Sequence, residues 1–340
     1  MTRQPRLISW GTTNLCNLKC PHCYRDAGIK LENELTTEEA YGLLDQSKRL
    51  GCKLFVLSGG EPLLRGDIFD IAEYGANIGL EMILATSGIL IDSKIASKIA
   101  ESGIKYVAIS LDGANAKTHD SFRGVNGAFE KAIDAIRLCV NLGLKVQVNT
   151  TVTKLNFSEI KEIIDLSWKL GVKYIHIFHF VPVGRGYLGK LEVNPLIFSA
   201  LLNELLHEQG KYPELMIKPT CAPFYWAYIS VSKPAFLNEF LSLYPSGCTA
   251  GITYLYISPT GEVYPCPYLP IVAGNIRSQN LREIWSKSQV FKELRERKII
   301  GKCSKCKFKD ICGGCRARAY AYTGNYLESD PACILKVPVS

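Results

Sequence analysis

Apolar positions in the first two-thirds of the chain follow two alternating rhythms. Short runs of strand length, continuous or every second residue, cover Leu7–Thr12, Lys53–Ser58, Glu81–Thr86, Tyr106–Leu111, Lys145–Val152 and Tyr174–Phe180. Between them, apolar residues recur at helical spacing in Thr36–Leu50, Ile68–Ile78, Ser93–Glu101, Gly127–Leu142 and Glu159–Leu170. Thr36-Thr-Glu-Glu39 reads as a capping box for the first of these helices. Strands alternating with helices predict an α/β fold with a parallel sheet and right-handed crossovers. Curled, the sheet makes a partial (β/α)6 barrel whose reactive loops gather at the C-terminal ends of the strands. The unusual residues fall there. A cysteine loop follows the first strand, Ser58-Gly-Gly-Glu-Pro62 follows the second and Ser87-Gly88 the third, while Ser110-Leu-Asp-Gly113 finishes the fourth.

The rhythm fades after about residue 195. The expected organisation is a barrel over 1–208, a Pro- and aromatic-rich bridging segment over 209–245, and a small cysteine-rich C-terminal domain over 246–340. That tail has too few long apolar periods for a large core, so metal groups are expected to staple it.

Composition narrows the class. With 340 residues, 47% hydrophobic and 21% charged, the chain reads as an ordinary soluble globular protein. No stretch approaches the ~20 apolar residues of a membrane span, and the first residues run straight into a strand-like segment without a signal peptide, so a cytoplasmic location is expected. A net charge of +8, spread rather than clustered, argues against a nucleic-acid partner and leans towards anionic small molecules. Thirteen cysteines are many for a compartment where structural disulfides are rare, and their odd number argues against full pairing. Metal clusters account for them better.

Cys16, Cys20 and Cys23 lie on one short loop. Four thiolates usually hold a cubic iron–sulfur cluster, so three leave one iron open for chemistry. Zinc is the alternative, with His22 as a possible fourth ligand, although zinc prefers paired cysteine units. In the tail, Cys303-x2-Cys306 and Cys312-x2-Cys315 could pair as a zinc knuckle, which would leave Cys248, Cys266 and Cys333 unexplained. Cys139 shares an apolar stripe with Phe129, Ile133, Ile136 and Val140, and Cys52 sits at the end of the barrel away from the chemistry, so both read as packing residues. His176 and His179 fall on opposite faces of the sixth strand, one towards the lumen and one towards the helices. Arg185, just past that strand, is a candidate partner for a substrate carboxylate.

Cys16-x3-Cys20-x2-Cys23, followed at once by Tyr24, resembles the signature of the radical S-adenosylmethionine (SAM) superfamily. The resemblance implies a [4Fe–4S] cluster on the three cysteines, its fourth iron chelated by SAM. One electron then cleaves SAM to methionine and a 5′-deoxyadenosyl radical, which abstracts hydrogen from substrate. Gly59-Gly60-Glu61-Pro62 matches the family's GGEP edge, which contacts the SAM amino group, and Tyr24 joins the cofactor contacts. By the same resemblance, Ser110 and Arg123 hold the SAM carboxylate, and Ser87 and Asn149 lie near the nucleoside. The tail is similar to a SPASM domain, which binds two auxiliary clusters. Cys303, Cys306, Cys312 and Cys333 would hold one; Cys248, Cys266, Cys315 and, as the best candidate for a fourth ligand, Cys221 would hold the other. The pattern departs from the common one in having two residues between Cys312 and Cys315 instead of three.

Pro5-Arg-Leu-Ile-Ser-Trp10, Lys218-Pro-Thr-Cys-Ala-Pro223 and Cys312-Gly-Gly-Cys-Arg-Ala-Arg-Ala-Tyr320 resemble the group that makes haem and haem d1. This implies hydrogen abstraction at a tetrapyrrole propionate, with a small-molecule or cofactor substrate and an electron donor such as ferredoxin or flavodoxin. The alternatives are maturation of a tungsten- or molybdenum-pterin oxidoreductase, modification of a ribosomal peptide, and a non-catalytic iron–sulfur electron carrier.

Overall fold

The computed structural model describes residues 4–188, 190–232 and 247–335. Six parallel strands follow one another across the sheet: β1 (Leu7–Gly11), β2 (Leu54–Ser58), β3 (Glu81–Thr86), β4 (Ile104–Ser110), β5 (Lys145–Val152) and β6 (Tyr174–His179). The helices between them are α1 (Thr37–Arg49), α2 (Ile68–Asn77), α3 (Ser93–Glu101), α4 (Ala116–Arg123), α5 (Ala128–Asn141) and α6 (Ile160–Lys169). One face of each strand supplies the core: Ile8, Trp10, Phe55, Leu57, Met82, Leu84, Val107, Ile109, Val148, Ile175 and Ile177 are all fully buried. They pack on the helix stripes that the spacing foretold, including Leu43, Leu44, Ile71, Ile99, Ile136 and Ile163. Each such side chain contributes about 1.5–3 kcal/mol. Cys139 is fully buried in this core and Cys52 is buried at its edge, as packing residues should be.

The capping box forms as read. The Thr36 hydroxyl accepts from the Glu39 amide at 3.3 Å, and the Glu39 carboxylate accepts from the Thr36 amide at 2.9 Å. Glu39 also receives Arg277 from the C-terminal part of the chain at 2.6 Å.

The sheet is wider than six strands. After α7 (Pro195–Lys211), β7 (Met216–Thr220) pairs in parallel with β6, inside the stretch read as a bridge. Its Lys218-Pro219 step hides it from an apolar-periodicity search, and a proline is tolerated there because β7 is the edge strand. Helix α8 (Phe224–Ser232) follows; the remainder of the segment, 233–246, lies outside the described residues. On the other side, β8 (Tyr254–Ile257) from the cysteine-rich tail pairs in parallel with β1, and β9 (Glu262–Tyr264) and β10 (Gly274–Asn275) continue from it antiparallel. The tail therefore extends the barrel sheet directly. The result is a partial α/β barrel whose first strand lies inside the sheet, paired on both edges.

Arg318, in the helix Arg316–Thr323, fixes the tail against the far side of the sheet. Almost fully buried, it pairs with Asp330 at 3.2 Å and donates to the carbonyls of His179, Phe180 and Cys221 at 3.3, 3.3 and 2.9 Å. His179 points to the helices and stacks on Phe198 of α7 at 3.7 Å between ring centroids. Burial, aided by the Arg318 charge, holds its pKa well below the usual histidine value. The folded state thus keeps this imidazole neutral, whereas the unfolded chain protonates it below about pH 6.5. Its contribution is fully present above that pH and is lost as pH falls, by up to about 1.4 kcal/mol per unit. Urea midpoints measured between pH 7.5 and 5.5 should decline with a slope that His179→Phe reduces.

Candidate functional site

The cysteine loop between β1 and α1 has little regular structure of its own, so other elements hold it. The Gly60 amide donates to the Thr13 carbonyl and the Glu61 amide to the Leu15 carbonyl, both at 2.8 Å. This pairing brings backbone so close that a Cβ on Gly60 would stand 2.2 Å from the Leu15 oxygen. At Gly59, where φ is +131°, a Cβ would stand 2.4 Å from the Thr13 oxygen. Only glycine fits at either position. Glu34 accepts from the Thr13 hydroxyl and the Asn14 and Leu31 amides at 2.7–3.1 Å. Arg185 clamps the loop's far end, donating to Cys20 and Ala27 carbonyls at 3.1 and 2.7 Å and pairing with Asp26. Arg185 is thereby corrected from a substrate partner to a scaffold residue: its guanidinium fork is spent on the loop.

Within the loop, Cys20 is buried, and Cys16 and Cys23 are half-exposed. The Cys16 sulfur accepts from the Leu18 amide at 3.4 Å, and its pKa is pushed up to about 11, chiefly by burial. Burial also raises Cys20, against the opposing pull of Arg123. To bind a metal these thiols must give up their protons. Tyr24 turns its ring towards Tyr268 of the tail, 4.7 Å between centroids.

The fully buried Glu61 acts as a staple between strand ends. Its carboxylate accepts from Thr86 Oγ1 at 2.8 Å, from the Ser87 amide and hydroxyl at 3.0 and 2.7 Å, and from the Leu63 amide at 3.2 Å. Ser87 is therefore fixed by Glu61. Ser110 Oγ lies 3.4 Å from the Thr86 carbonyl, and Asn149 Oδ1 accepts from Gln147 at 2.6 Å. Both are half-buried on the face away from the helices, Ser110 at the C-terminal end of β4 and Asn149 past the middle of β5.

Arg123, buried at the end of α4, pairs with Asp112 and approaches the Cys20 sulfur at 3.7 Å. Its Nε has no hydrogen-bond partner. Asp112 also accepts from the Thr151 amide at 2.7 Å, and its own amide donates to His119 Nδ1 at 3.0 Å. The structure therefore seats Arg123 against the cysteine loop, with Asp112 as its buried partner.

The tail cysteines separate into two groups. Cys221, Cys248, Cys266 and Cys315 lie within electrostatic reach of one another, and mutual charge adds to burial in raising Cys221 and Cys266 well above the usual thiol value. Cys303, Cys306, Cys312 and Cys333 line one recess with Phe224, Phe308 and Asp330. The Gly314 amide donates to Cys312 sulfur at 3.4 Å, the same type of contact that Cys16 receives. Cys312 and Cys315 thus face different groups, which parts the sequence pairs a zinc knuckle would require. Asp330 joins the two, accepting from the Cys315 amide at 2.7 Å while its carbonyl accepts from the Cys333 amide at 3.2 Å.

Residues 10–167 match the Radical SAM superfamily, and residues 248–307 match the iron–sulfur cluster-binding SPASM domain. An AdoMet-dependent heme synthase of Methanosarcina barkeri is 42% identical over 347 residues, covering 99% of this chain and 98% of that protein. The chain belongs to the radical SAM superfamily. A Fe-coproporphyrin III synthase from the same organism is 34% identical, over 97% of this chain and 88% of the relative. Among solved structures, Streptococcus suis SuiB bound to SAM shares the fold with a TM-score of 0.80 at 20% identity, over 98% of this chain and 78% of that one.

As a radical SAM enzyme, the protein binds a [4Fe–4S] cluster and SAM, and its SPASM domain binds auxiliary iron–sulfur clusters. The donor chemistry fits these groups: thiols are the ligands such clusters take, and amide N–H groups are already aimed at the Cys16 and Cys312 sulfurs. No helix among the described residues is long and apolar enough to cross a membrane. Because a Cβ at residue 60 would collide with the loop's backbone, Gly60→Ala should displace the cysteine loop at a cost of about 1–3 kcal/mol. The expected result is loss of one cluster's worth of iron on anaerobic reconstitution while the tail still loads, read by iron analysis and electron paramagnetic resonance.

Proposed function

We propose that the enzyme removes or modifies a carboxylate side chain of an iron tetrapyrrole, as a step of haem-type cofactor synthesis. The observation that carries this reading is the end-to-end likeness at 42% identity to a protein named AdoMet-dependent heme synthase. The second relative, also aligned over nearly its whole length, is named for another iron porphyrin.

In this reading, Cys16, Cys20 and Cys23 hold the cluster, and the two tail groups hold two auxiliary clusters. When bound, the first cluster and SAM together supply the radical that takes hydrogen from the substrate. The chain's own residues do the placing. The Gly59–Glu61 edge presents backbone to the SAM amino group. Ser110 and Arg123 face its carboxylate, with Asp112 holding Arg123 in position. Ser87 and Asn149 flank the nucleoside, and Tyr24 with Tyr268 closes the mouth towards the tail.

The test uses the cluster-loaded enzyme under anaerobic conditions with dithionite, SAM and iron-coproporphyrin III. The expected outcome is porphyrin product with lost carboxylate mass, accompanied by 5′-deoxyadenosine. Cys16→Ala should abolish both while keeping the tail's iron. Formation of 5′-deoxyadenosine with the porphyrin unchanged would overturn the tetrapyrrole reading and leave the radical chemistry standing.

A further inference from the structure

Arg65, Arg123, Arg185 and Arg318 are spent on the chain itself. Each pairs with an aspartate, and three of them also hold backbone carbonyls. Arg25, two residues past Cys23, is different. Its guanidinium makes no hydrogen bond or ion pair to any described residue, and its Nε is buried without a partner. Its Cζ instead stands over the ring of Tyr256, 5.1 Å from the centroid. Tyr256 belongs to β8, whose Leu255 and Ile257 are fully buried in the helix-side core. Successive strand residues point to opposite faces, so Tyr254 and Tyr256 turn into the lumen. The Tyr256 hydroxyl reaches the end of β1, where a Cβ on Gly11 would stand 2.2 Å from it. The cysteine loop starts there.

The surroundings of Arg25 are aromatic. Tyr24 and Tyr264 join Tyr256 within its electrostatic reach. Tyr24 in turn meets Tyr268, which lies in the field of Cys221 and Cys266. Arg25 thus stands between the cysteine loop and the first group of tail cysteines. The tyrosines are phenols, neutral at physiological pH, and give it no counter-charge. The carboxylates around the loop and on β9 are committed elsewhere. Asp26 pairs with Arg185, Glu34 takes the Asn14 amide, and Glu61 takes Thr86 and Ser87. Glu262 accepts from the Tyr264 hydroxyl at 2.6 Å. A ring face attracts a guanidinium by about 0.5–2 kcal/mol but fills none of its five N–H donors. A carboxylate fills two of them at once.

We propose that Arg25 is the seat for a carboxylate of the substrate, whose flat ring system lies along the tyrosine wall. The inference rests on the tetrapyrrole reading and names a contact within it. The wall calls for a planar, largely apolar body carrying acidic side chains. Half-buried Tyr24, Tyr254, Tyr264 and Tyr268 supply faces for the body, and the guanidinium receives the acid. Because Arg25 shares a loop with Cys20 and Cys23, a carboxylate seated on it brings the attached carbons close to that loop. The tail cysteines stand on the other side, beyond Tyr268. Arg25 is a binding residue in this scheme, and Tyr256 holds it in place.

Equilibrium binding to the cluster-loaded protein, read from the porphyrin absorption band without reductant, tests the seat. The probes are iron-coproporphyrin III and its tetramethyl ester, which has the same ring system and no carboxylates. Arg25→Met keeps an apolar stem and removes the charge. Matched to wild type in iron content and far-ultraviolet spectrum, it should bind the acid about tenfold to hundredfold more weakly, the scale of a charge-assisted hydrogen bond. It should bind the ester as wild type does, and Arg25→Lys should recover part of the loss for the acid. In turnover, KM for the porphyrin should rise more than kcat falls. Equal weakening of acid and ester assigns Arg25 to packing and overturns the seat. A matching fall in SAM affinity assigns it to the cofactor and overturns it too. Equal wild-type affinity for acid and ester does so without any variant. In each case conversion of the porphyrin by the wild type leaves the tetrapyrrole reading standing. A wild type that neither binds nor converts the porphyrin removes that reading and the seat together.

Discussion

Metal ligands placed on a loop must be held at fixed spacing by something other than the loop. Here the loop's own turns do little, and it is pinned from four directions. The amides of Gly60 and Glu61 pin it from the end of β2, and Glu34 pins it from the run into α1. Arg185 reaches it from beyond β6, and Arg123 from the end of α4. Each contact alone is worth about 1 kcal/mol, but together they fix the positions of three thiols before any metal arrives. The glycine pair follows from this constraint. The pairing distance that seats the loop leaves no room for a Cβ, so the residues read as a ligand edge are first a requirement of backbone approach.

The interior place of β1 carries that constraint into the tail. Its other edge is taken by β8, so the strand that starts the cysteine loop also anchors the chain that delivers Cys248 and Cys266. The two cysteine-bearing regions thus share one sheet and one mouth, with Tyr24 against Tyr268 at their boundary. From the opposite edge, β7 delivers Cys221, whose carbonyl is held by Arg318. A small tail with few apolar periods can be ordered this way because it borrows the barrel's sheet, as well as through its metal groups.

What could be read from the chain was whatever depends on local pattern. The six strands and five helices followed from apolar spacing, with ends shifted by at most two residues, and the capping box from four letters. β7 was hidden because Lys218 faces the lumen and Pro219 tolerates an edge, so neither looks like part of a strand. β8 was hidden because four residues among turns carry no period. Apart from the Leu63 amide, the side-chain partners of Glu61, Arg123 and Arg185 come from sequence positions 11 to more than 150 residues away, and no spacing rule reaches them. Motif and chemistry were legible there; the direction in which each side chain is spent was not.

Three arginines at the mouth share one physical role. Strands and loops that end there leave carbonyl groups needing donors, and a guanidinium offers five N–H groups and no acceptor. Arg65 donates to the Thr12 carbonyl while pairing with Asp67; Arg185 serves Cys20 and Ala27; Arg318 serves His179, Phe180 and Cys221. A net charge of +8 therefore overstates the positive charge offered to a ligand, because these cations are consumed in holding the loops. Lysine is a poorer carbonyl clamp, being a point charge on a flexible stem. The clamping of these carbonyls therefore falls to arginine.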